Sequence, residues 1–180
     1  MNDVDLFPFF MIPLLLIIIL ELIFSLAWVP FYFRNGIPLV RKSYRIPLMF
    51  ELSPHVGALE KALKRSFFRP EVKIKSFSSS EFGFRNAFTS RSQVNGLIRV
   101  EQNNGRLTIT GYLSWAFIML ILFGALTSIF FAQPWTFLGF LFIAGLGAFF
   151  QWLVTNSVQT ILYKTLQTEG LILDDSFEIS

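Results

Sequence analysis

Residues 6–29 read LFPFFMIPLLLIIILELIFSLAWV, an apolar run whose only charged residue is Glu21. Because an α-helix rises about 1.5 Å per residue, a run of this length covers the roughly 30 Å hydrocarbon core of a bilayer. Two later runs, residues 113–131 and 134–154, are similar in composition and also long enough to cross. The sequence therefore predicts an integral membrane α-helical protein with three spans.

The segment between the first two runs has the opposite character. Residues 31–111 contain 14 of the 15 Lys and Arg residues but only five of the 12 Asp and Glu residues. Basic residues close to the end of a span mark the cytoplasmic side of a membrane, and Arg34 and Arg41 follow the first span closely. We therefore expect a bacterial inner-membrane protein with its N-terminus outside and with residues 31–111 and the C-terminus in the cytoplasm.

A cleaved signal peptide is the main alternative for residues 1–29. Such a peptide begins with basic residues and has an apolar core of about 7–15 residues. Here the first residues include Asp3 and Asp5, and the apolar run is longer than that core. The sequence favours a permanent anchor.

Residues 31–111 are predicted to form a small soluble α+β insert with the element order β-α-β-β-β-β. Prolines inside residues 37–50 suit a strand at the edge of a sheet, and residues 53–69 repeat apolar positions at helical spacing. Alternating apolar residues at 72–75 and 82–88 predict two more strands. One face of the resulting sheet should pack on the helix, and the other should face water.

The clearest turn in the domain is Asn104-Gly105, because both residues tolerate the positive φ of a two-residue hairpin turn. A hairpin centred there would pair Val100 with Ile109. The apolar side chains of its two strands would share the face that packs on the helix: Ile98, Val100, Leu107 and Ile109.

The second and third apolar runs are separated by only a few residues around Pro134, so they should form an antiparallel helical hairpin. Small residues in both runs would let the backbones approach closely; they are Gly124, Ala125, Ala144, Gly145, Gly147 and Ala148. Past the third run the helix turns polar, ends near Gly170 and is expected to project into the cytoplasm. The tail at 171–179 would form a further strand or an acidic segment that binds the basic face.

These patterns divide the chain into four parts. They are an anchor at residues 1–30, the basic cytoplasmic α+β domain at 31–111, a transmembrane hairpin at 112–157, and a cytoplasmic helix with an acidic tail at 158–180. The boundaries follow the ends of the apolar and basic runs.

A carboxylate and an amide lie inside the predicted spans at matching depth. Glu21 is about 12 Å of helix from the cytoplasmic end of the first span, and Gln151 lies near the cytoplasmic end of the third. A charged side chain in hydrocarbon is costly, so it is usually paired or functional. We expect a buried hydrogen bond between the two side chains that holds the helices together. An ion, proton or lipid-headgroup site at Glu21 is the alternative.

The second candidate site is the basic cluster after the first span, which comprises Arg34, Arg41, Lys42 and Arg45. Each such residue near an anionic membrane surface contributes on the order of 1 kcal/mol to binding. The cluster can be a topology signal on a solvated surface, or it can bind lipid headgroups or an acidic partner. Nucleic acid is disfavoured, because the aromatic residues are placed as core residues rather than between the basic ones.

Several classes of chemistry have no support in the sequence. The chain has no cysteine, which excludes disulfides and thiolate metal sites. His55 is the only histidine, and no second metal ligand stands at a suitable spacing. Phosphate-binding glycine loops and catalytic motifs are also missing from the sequence. We therefore expect a protein that is not an enzyme and that has neither a cofactor nor a metal.

The favoured function is that of an integral membrane protein whose basic domain recruits a partner or anionic lipid, as an accessory subunit of a membrane complex does. Its partners would be membrane lipids together with a membrane protein or further copies of the chain. The alternative is an oligomeric channel or transporter component in which Glu21 from several copies lines a pathway.

Overall fold

The computed structural model describes residues 7–47, 50–64, 71–86, 94–131 and 134–172. Its helices are α1 (Phe7–Leu26), α2 (Pro30–Arg34), α3 (Val56–Ala62), α4 (Trp115–Phe131) and α5 (Pro134–Thr168). Its strands are β1 (Pro38–Arg45), β2 (Val72–Ser76), β3 (Glu81–Asn86), β4 (Asn95–Glu101) and β5 (Arg106–Tyr112). The predicted α+β domain is confirmed, since β1, α3 and β2 to β5 follow one another in the expected order.

The five strands form one antiparallel sheet in the order β1-β5-β4-β3-β2. The proline-containing strand β1 lies at one edge, where the missing N–H of Pro38 costs little. The other edge, β2, is covered by α3: the backbone N–H of Ile74 donates to the Glu60 carboxylate at 2.8 Å. This bond occupies a backbone N–H that would otherwise be open to a strand of another molecule.

The β4–β5 hairpin has a longer turn than the sequence predicted. Gln102–Asn104 form a turn of 3-10 helix, and Gly105 follows in the left-handed conformation with a φ of 55°. The loop therefore has four residues instead of two, and Val100 pairs with Leu107 rather than with Ile109. A shift of two residues preserves which side chains share a face. The predicted apolar face is confirmed: Ile98, Val100, Leu107 and Ile109 are all buried.

The predicted helix at residues 53–69 is present in part. It opens with a 3-10 turn at Ser53–His55 and continues as α3, whose last residue is Ala62. Leu59 and Leu63 point into the core and are at most 3% exposed. Residues 65–70 lie outside the described part of the chain.

The C-terminal half of α5 completes the core of the domain. This helix has 35 residues, about 52 Å in length. Val158, Leu162 and Leu166 are at most 1% exposed and lie in one apolar cluster with α3 and the inner face of the sheet. The part of α5 beyond residue 157 therefore packs on the α+β domain, and its position in the cytoplasm stays a prediction. The sheet needs a cover for its apolar face, and α5 provides it.

Two side chains of α5 contact β1, and they do so in the same order along the helix and the strand. The Gln159 side chain donates to the backbone carbonyl of Val40 at 3.2 Å. Four residues further along each element, Tyr163 stacks on Tyr44 with ring centroids 4.9 Å apart. The strand and the helix therefore run side by side in the same direction, which fixes the domain to the end of α5.

α5 ends as the sequence predicted. Gly170 is in the left-handed conformation with a φ of 69°, and the N–H of Leu171 donates to the carbonyl of Leu166 at 2.9 Å. This is the usual termination at a glycine. Residues 173–180 lie outside the described part of the chain, so both interpretations of the tail stay predictions.

Among the described residues, one helix is long and apolar enough to cross a membrane, namely Trp135–Thr168 within α5. Two shorter apolar helical segments are Leu15–Leu26 and Trp115–Ile129. By this measure the structure supports one of the three predicted spans. α1 packs against α4, and α4 packs along α5, while apolar side chains such as Phe142, 71% exposed, point outward.

α4 and α5 form the predicted antiparallel hairpin, and two of its predicted small residues lie directly beneath aromatic side chains. A Cβ on Gly124 would be 2.5 Å from the Cβ of Phe140, and a Cβ on Gly147 would be 2.3 Å from the Phe117 ring. Gly145, by contrast, faces open space. Close approach of the helices therefore depends on Gly124 and Gly147.

A second apolar cluster lies on the outer face of the sheet. α1 is followed by Trp28 in the left-handed conformation, with a φ of 56°, and the chain turns back into α2. This turn places Tyr32 and Phe33, at most 2% exposed, on Leu97 and Tyr112. Part of the outer sheet face, which was expected to face water, is therefore covered, and only the rest of that face is exposed to solvent.

Candidate functional site

The turn between β5 and α4 is where the helices meet the domain. The first backbone N–H groups of α4 have no acceptor within their own helix. Glu21 of α1, 1% exposed, supplies one: its Oε1 accepts from the Trp115 N–H at 3.0 Å and its Oε2 from the Ala116 N–H at 3.1 Å. The Ser114 hydroxyl donates to the same carboxylate at 2.8 Å. Glu21 thus caps α4 from another helix, at the end where the helix dipole favours negative charge.

A fourth donor reaches Glu21 from α2. The Tyr32 hydroxyl donates to Oε1 at 2.8 Å, and the side-chain amide of Asn95 donates to the Tyr32 oxygen. All three residues are buried. The two oxygens of Glu21 therefore accept four hydrogen bonds, from Tyr32, Ser114, Trp115 and Ala116. The network links α1 through α2 to β4.

Gln151 serves the same turn from α5. Its side-chain oxygen accepts from the Ser114 N–H at 3.1 Å, and its side-chain nitrogen donates to the Tyr112 carbonyl at 3.1 Å. The Tyr112 carbonyl is at the last residue of β5 and the Ser114 N–H is just before α4, so Gln151 supplies partners where the strand ends and the helix begins. The side chain is 5% exposed, so its bonds satisfy backbone groups that water does not reach. We call Glu21, Gln151, Ser114 and Tyr32 the polar junction.

The direct hydrogen bond expected between Glu21 and Gln151 is replaced by a shared partner. Within the described residues the two side chains are joined through Ser114, whose hydroxyl binds Glu21 and whose N–H binds Gln151. The β5–α4 turn comes between the helices and offers both side chains buried backbone groups that need partners. Tyr32 and Asn95 had no signal in the sequence. Ser114 had one, since a serine directly before an apolar helical run suits an N-cap.

The open part of the outer sheet face is basic. Side chains alternate along a strand, so residues paired with Thr108 or Thr110 of β5 lie on one side of the sheet. On the described strands this face carries seven basic residues, which are Arg41, Arg45, Lys73, Lys75, Arg85, Arg99 and Arg106. Two acidic residues, Glu81 and Glu101, accompany them on these strands.

Glu81 binds two arginines at once. Its Oε2 accepts from Nε and Nη2 of Arg34 at 2.8 and 2.6 Å, and its Oε1 accepts from Nε and Nη2 of Arg99 at 3.2 and 3.0 Å. Burial raises the pKa of the Glu81 carboxyl, but the hydrogen bonds and charges of the two arginines outweigh this and lower the pKa below its ordinary value of 4.5. The carboxylate is therefore charged at neutral pH and holds both guanidinium groups in place.

Beside these arginines the outer face forms a cavity of about 220 Å³, which we call the basic basin. Arg34 of α2, Arg41 of β1 and Arg99 of β4 line it from three elements. Thr110 and Tyr112 of β5 line it between them. Convergence of three cations and a hydroxyl makes the basin a candidate site for an anion.

Tyr112 forms the end of the basin next to the polar junction. Burial raises the pKa of its phenol, and the nearby charges of Arg99 and Arg41 oppose that effect. The hydroxyl is therefore protonated at neutral pH. Gly36, between α2 and β1, is in close contact with the Tyr112 ring: a Cβ added at Gly36 would be only 2.6 Å from the Tyr112 Cγ. A larger residue at position 36 would push the ring from its place.

The four predicted basic residues do not form one surface. Arg34 and Arg41 line the basin. Arg45 lies on the same face of β1 but further along it, and Lys42 lies on the opposite face, opposite Ile109. They are close in sequence, but strand alternation separates them. Arg99 had no signal in the sequence, because its place beside Arg34 depends on the order of strands in the sheet.

Arg85 has a structural role on the same face. Its guanidinium lies over the Trp28 ring, 4.7 Å from the centroid, and such a cation–π contact contributes about 0.5–2 kcal/mol. Trp28 also stacks on Phe33 with centroids 5.5 Å apart. These contacts hold Trp28 in a backbone conformation that a non-glycine residue rarely adopts.

In the described part of the chain, no group of three or more His, Cys, Asp or Glu residues is arranged to hold a metal ion. The Nδ1 of His55 lies 3.6 Å from the Glu169 carboxylate. Comparison with known proteins finds no matching family, no matching curated protein and no matching solved structure. Function is therefore inferred from the chemistry of the polar junction and the basic basin.

Proposed function

We propose that the chain is a non-enzymatic integral membrane protein with three spans, α1, α4 and α5, whose basic domain lies against the cytoplasmic leaflet and binds anionic lipid. In this position it would act as an accessory subunit of a larger membrane complex. The basic basin is the observation that carries the proposal, because it lies where the domain joins the apolar helices.

The lengths and surfaces of the helices support three spans. α1 has 20 residues and α4 has 17, which is about 30 and 26 Å of helix and close to the thickness of the hydrocarbon core. Both helices expose many apolar side chains, as α5 does. A large apolar surface around a helical bundle suits lipid and is rare on a protein in water.

The connection from β5 to α4 sets the distance from the basin to the proposed membrane surface. A strand rises about 3.4 Å per residue, so Tyr112 is on the order of 10 Å of chain from Trp115, the first residue of α4. Arg106, at the other end of β5, is on the order of 30 Å away. The Debye length is about 8 Å at physiological ionic strength. Arg41, paired with Thr110, is on the order of 17 Å of chain from Trp115, and Arg45, paired with Arg106, is on the order of 30 Å away. Arg41 would therefore sense the surface charge more strongly than Arg45.

The arginines of the basin carry enough charge to attract anionic lipid. Each basic residue near an anionic surface contributes on the order of 1 kcal/mol, and Glu81 offsets part of the charge of Arg34 and Arg99. About 2 kcal/mol would remain, which corresponds to more than tenfold enrichment of anionic lipid at this position. An acidic segment of a partner protein is the competing ligand.

The alternative function, an oligomeric channel or transporter component built on Glu21, has less support. Both oxygens of Glu21 accept hydrogen bonds from donors of the same chain, and the side chain is 1% exposed. A residue that lines an ion pathway needs to face that pathway. Glu21 instead faces the start of α4.

Lipid binding is tested with the full-length protein in a mild, uncharged detergent. Phosphatidylglycerol should raise the temperature of thermal unfolding more than phosphatidylcholine does, and added salt should reduce the difference because it screens exposed charges. Equal effects of the two lipids at low salt would contradict the proposal. Proteins that co-purify with the chain would then be examined for an acidic partner.

Orientation is tested in intact cells. The chain has no cysteine, so single cysteines at Ser79 and Asn103 provide clean labels on the domain. They should resist an impermeant thiol reagent until the cells are lysed. Labelling before lysis would place the domain outside and remove the contact with the cytoplasmic leaflet.

A further inference from the structure

The basic basin has the groups needed to bind a single phosphate. Arg34, Arg41 and Arg99 enter it from α2, β1 and β4, so their charges surround one point instead of following one strand. A guanidinium group binds two oxygens of a phosphate at once, which makes arginine the preferred residue for this ligand. Thr110, paired with Arg41 across β1 and β5, adds a hydroxyl.

Glu81 positions two of these arginines and leaves them able to bind more. It accepts from the Nε and Nη2 groups of Arg34 and Arg99. A guanidinium has five N–H donors, so the Nη1 group of each arginine is not used by Glu81. The carboxylate also holds both side chains in place before a ligand arrives, which reduces the entropy lost on binding.

Arg41 is the basin cation that Glu81 does not neutralise. It is exposed, and within the part of the chain that the structure describes it forms no ion pair. The charge of Arg41 is thus added in full to what remains of Arg34 and Arg99. We expect an anion in the basin to depend on Arg41 most strongly.

Glu101 lies at the end of the basin away from Tyr112. It lines the basin at the last residue of β4, where its carboxylate accepts from the Asn104 side chain at 3.2 Å. Arg106 of β5 is its cross-strand partner on the same face. We expect the anion at the other end, beside Arg41 and Tyr112, which is also the end closer to α4.

We propose that the basic basin is a specific site for one phosphate group, of the kind that phosphatidylglycerol or phosphatidic acid carries in its headgroup. Arg41 is the main contact, and Arg34 and Arg99 assist while Glu81 holds them. This inference rests on the proposed function, because the basin has to face the headgroup region to receive a lipid. Free phosphate and small soluble phosphate esters share this chemistry and are the other source.

The test compares two arginines of one strand. Arg41 and Arg45 lie on the same face of β1, but only Arg41 lines the basin, so Arg45→Gln is the matched control for Arg41→Gln. Phosphatidylglycerol is titrated into the full-length proteins in uncharged detergent, and native mass spectrometry gives the Kd of the first bound lipid. Arg41→Gln should raise this Kd about tenfold, as expected for the loss of one charge-assisted hydrogen-bonding group. Arg45→Gln should change it less than about twofold, in line with a distant exposed charge.

The outcomes separate the site from the function. Equal increases in Kd for Arg41→Gln and Arg45→Gln would overturn the site while leaving lipid binding by diffuse charge. No preference of the wild type for phosphatidylglycerol over phosphatidylcholine would overturn both. The unfolding temperature without lipid should be the same in the wild type and in Arg41→Gln, which shows that the fold of this variant is intact.

A second arm identifies the source of the phosphate. Sodium phosphate and glycerol 3-phosphate are added to the wild type and to Arg41→Gln, and displacement of the lipid is measured. Displacement at millimolar concentration that is lost in Arg41→Gln would support the site and assign it to soluble phosphates as well. Lipid binding that these competitors do not displace would support a site that takes its phosphate from the bilayer.

Discussion

The Ser114 hydroxyl donates to the Glu21 carboxylate at 2.8 Å and joins two residues that are 93 positions apart in the chain. Glu21 belongs to α1, and Ser114 precedes α4, so the bond connects the first helix with the turn through which the sheet continues into the fourth. Gln151 of α5 binds the backbone of the same turn. Three helices and the sheet are therefore held together at one buried point.

Glu21→Gln should destabilise the protein although it preserves the shape of the side chain. Each carboxylate oxygen accepts from one backbone N–H, of Trp115 or of Ala116. The Ala116 N–H also donates to the Ser114 hydroxyl oxygen at 3.2 Å, but the amide nitrogen of glutamine in place of Oε1 would leave the Trp115 N–H without an acceptor, at a cost of about 1–3 kcal/mol. Thermal unfolding in detergent measures the loss. The exposed carboxylate Glu51 provides the control, since Glu51→Gln should have little effect. Wild-type stability of Glu21→Gln would show that the hydrogen bonds of Glu21 contribute little.

Leu162→Ala should destabilise the domain, because Leu162 of α5 is fully buried against the sheet. Truncation of a buried leucine to alanine costs about 2–5 kcal/mol. Leu146→Ala is the matched control in the same helix, where the side chain is 47% exposed and a smaller effect is expected.

Because α5 completes the core of the domain, residues 31–111 expressed without α5 should fail to show cooperative unfolding. A stable fragment of that kind would contradict the role of α5 in the core.

Gly124→Ala and Gly139→Ala should have opposite effects on stability. Alanine is favoured over glycine in a helix by about 1 kcal/mol. A Cβ on Gly139 meets nothing within 4 Å, whereas a Cβ on Gly124 would lie 2.5 Å from the Cβ of Phe140. Gly139→Ala should therefore be neutral or stabilising, and Gly124→Ala should separate α4 from α5 and lower the unfolding temperature. If both variants were equally stable, the close packing of the hairpin would be in doubt.

The stabilising effect of Glu81 should depend on pH. The pKa of Glu81 is lower in the folded protein than its ordinary value of 4.5, so its ionised form favours the folded state. That contribution is present above pH 4.5 and is lost as the pH falls through the lowered pKa of the folded state. Glu81→Gln should therefore be less stable than the wild type at pH 7, and the difference should shrink on acidification. Thermal unfolding as a function of pH measures it, and a difference that grows towards low pH would have the wrong sign.

Local sequence patterns predicted most of the elements of the domain. Alternation and helical spacing identified the strands and α3, and prolines identified the edge strand β1. The apolar face of the β4–β5 hairpin was predicted correctly even though the turn was not, because an error of two residues does not change the face. The candidate sites were predicted in part. Glu21 and Gln151 were conspicuous in apolar runs, and Arg34 and Arg41 followed the first of these runs.

The sequence by itself determined which segments are apolar, which are basic, and which face of each element is to be buried. Only the tertiary structure decided what covers each face: α5 in addition to the predicted helix α3 on the inner side of the sheet, and Tyr32 and Phe33 on part of the outer side. It also decided that Ser114 joins Glu21 to Gln151 and that Arg99 lies beside Arg34. The physical reason is that periodicity depends on neighbours along the chain, whereas buried polar groups bond to whatever the fold brings within about 3 Å.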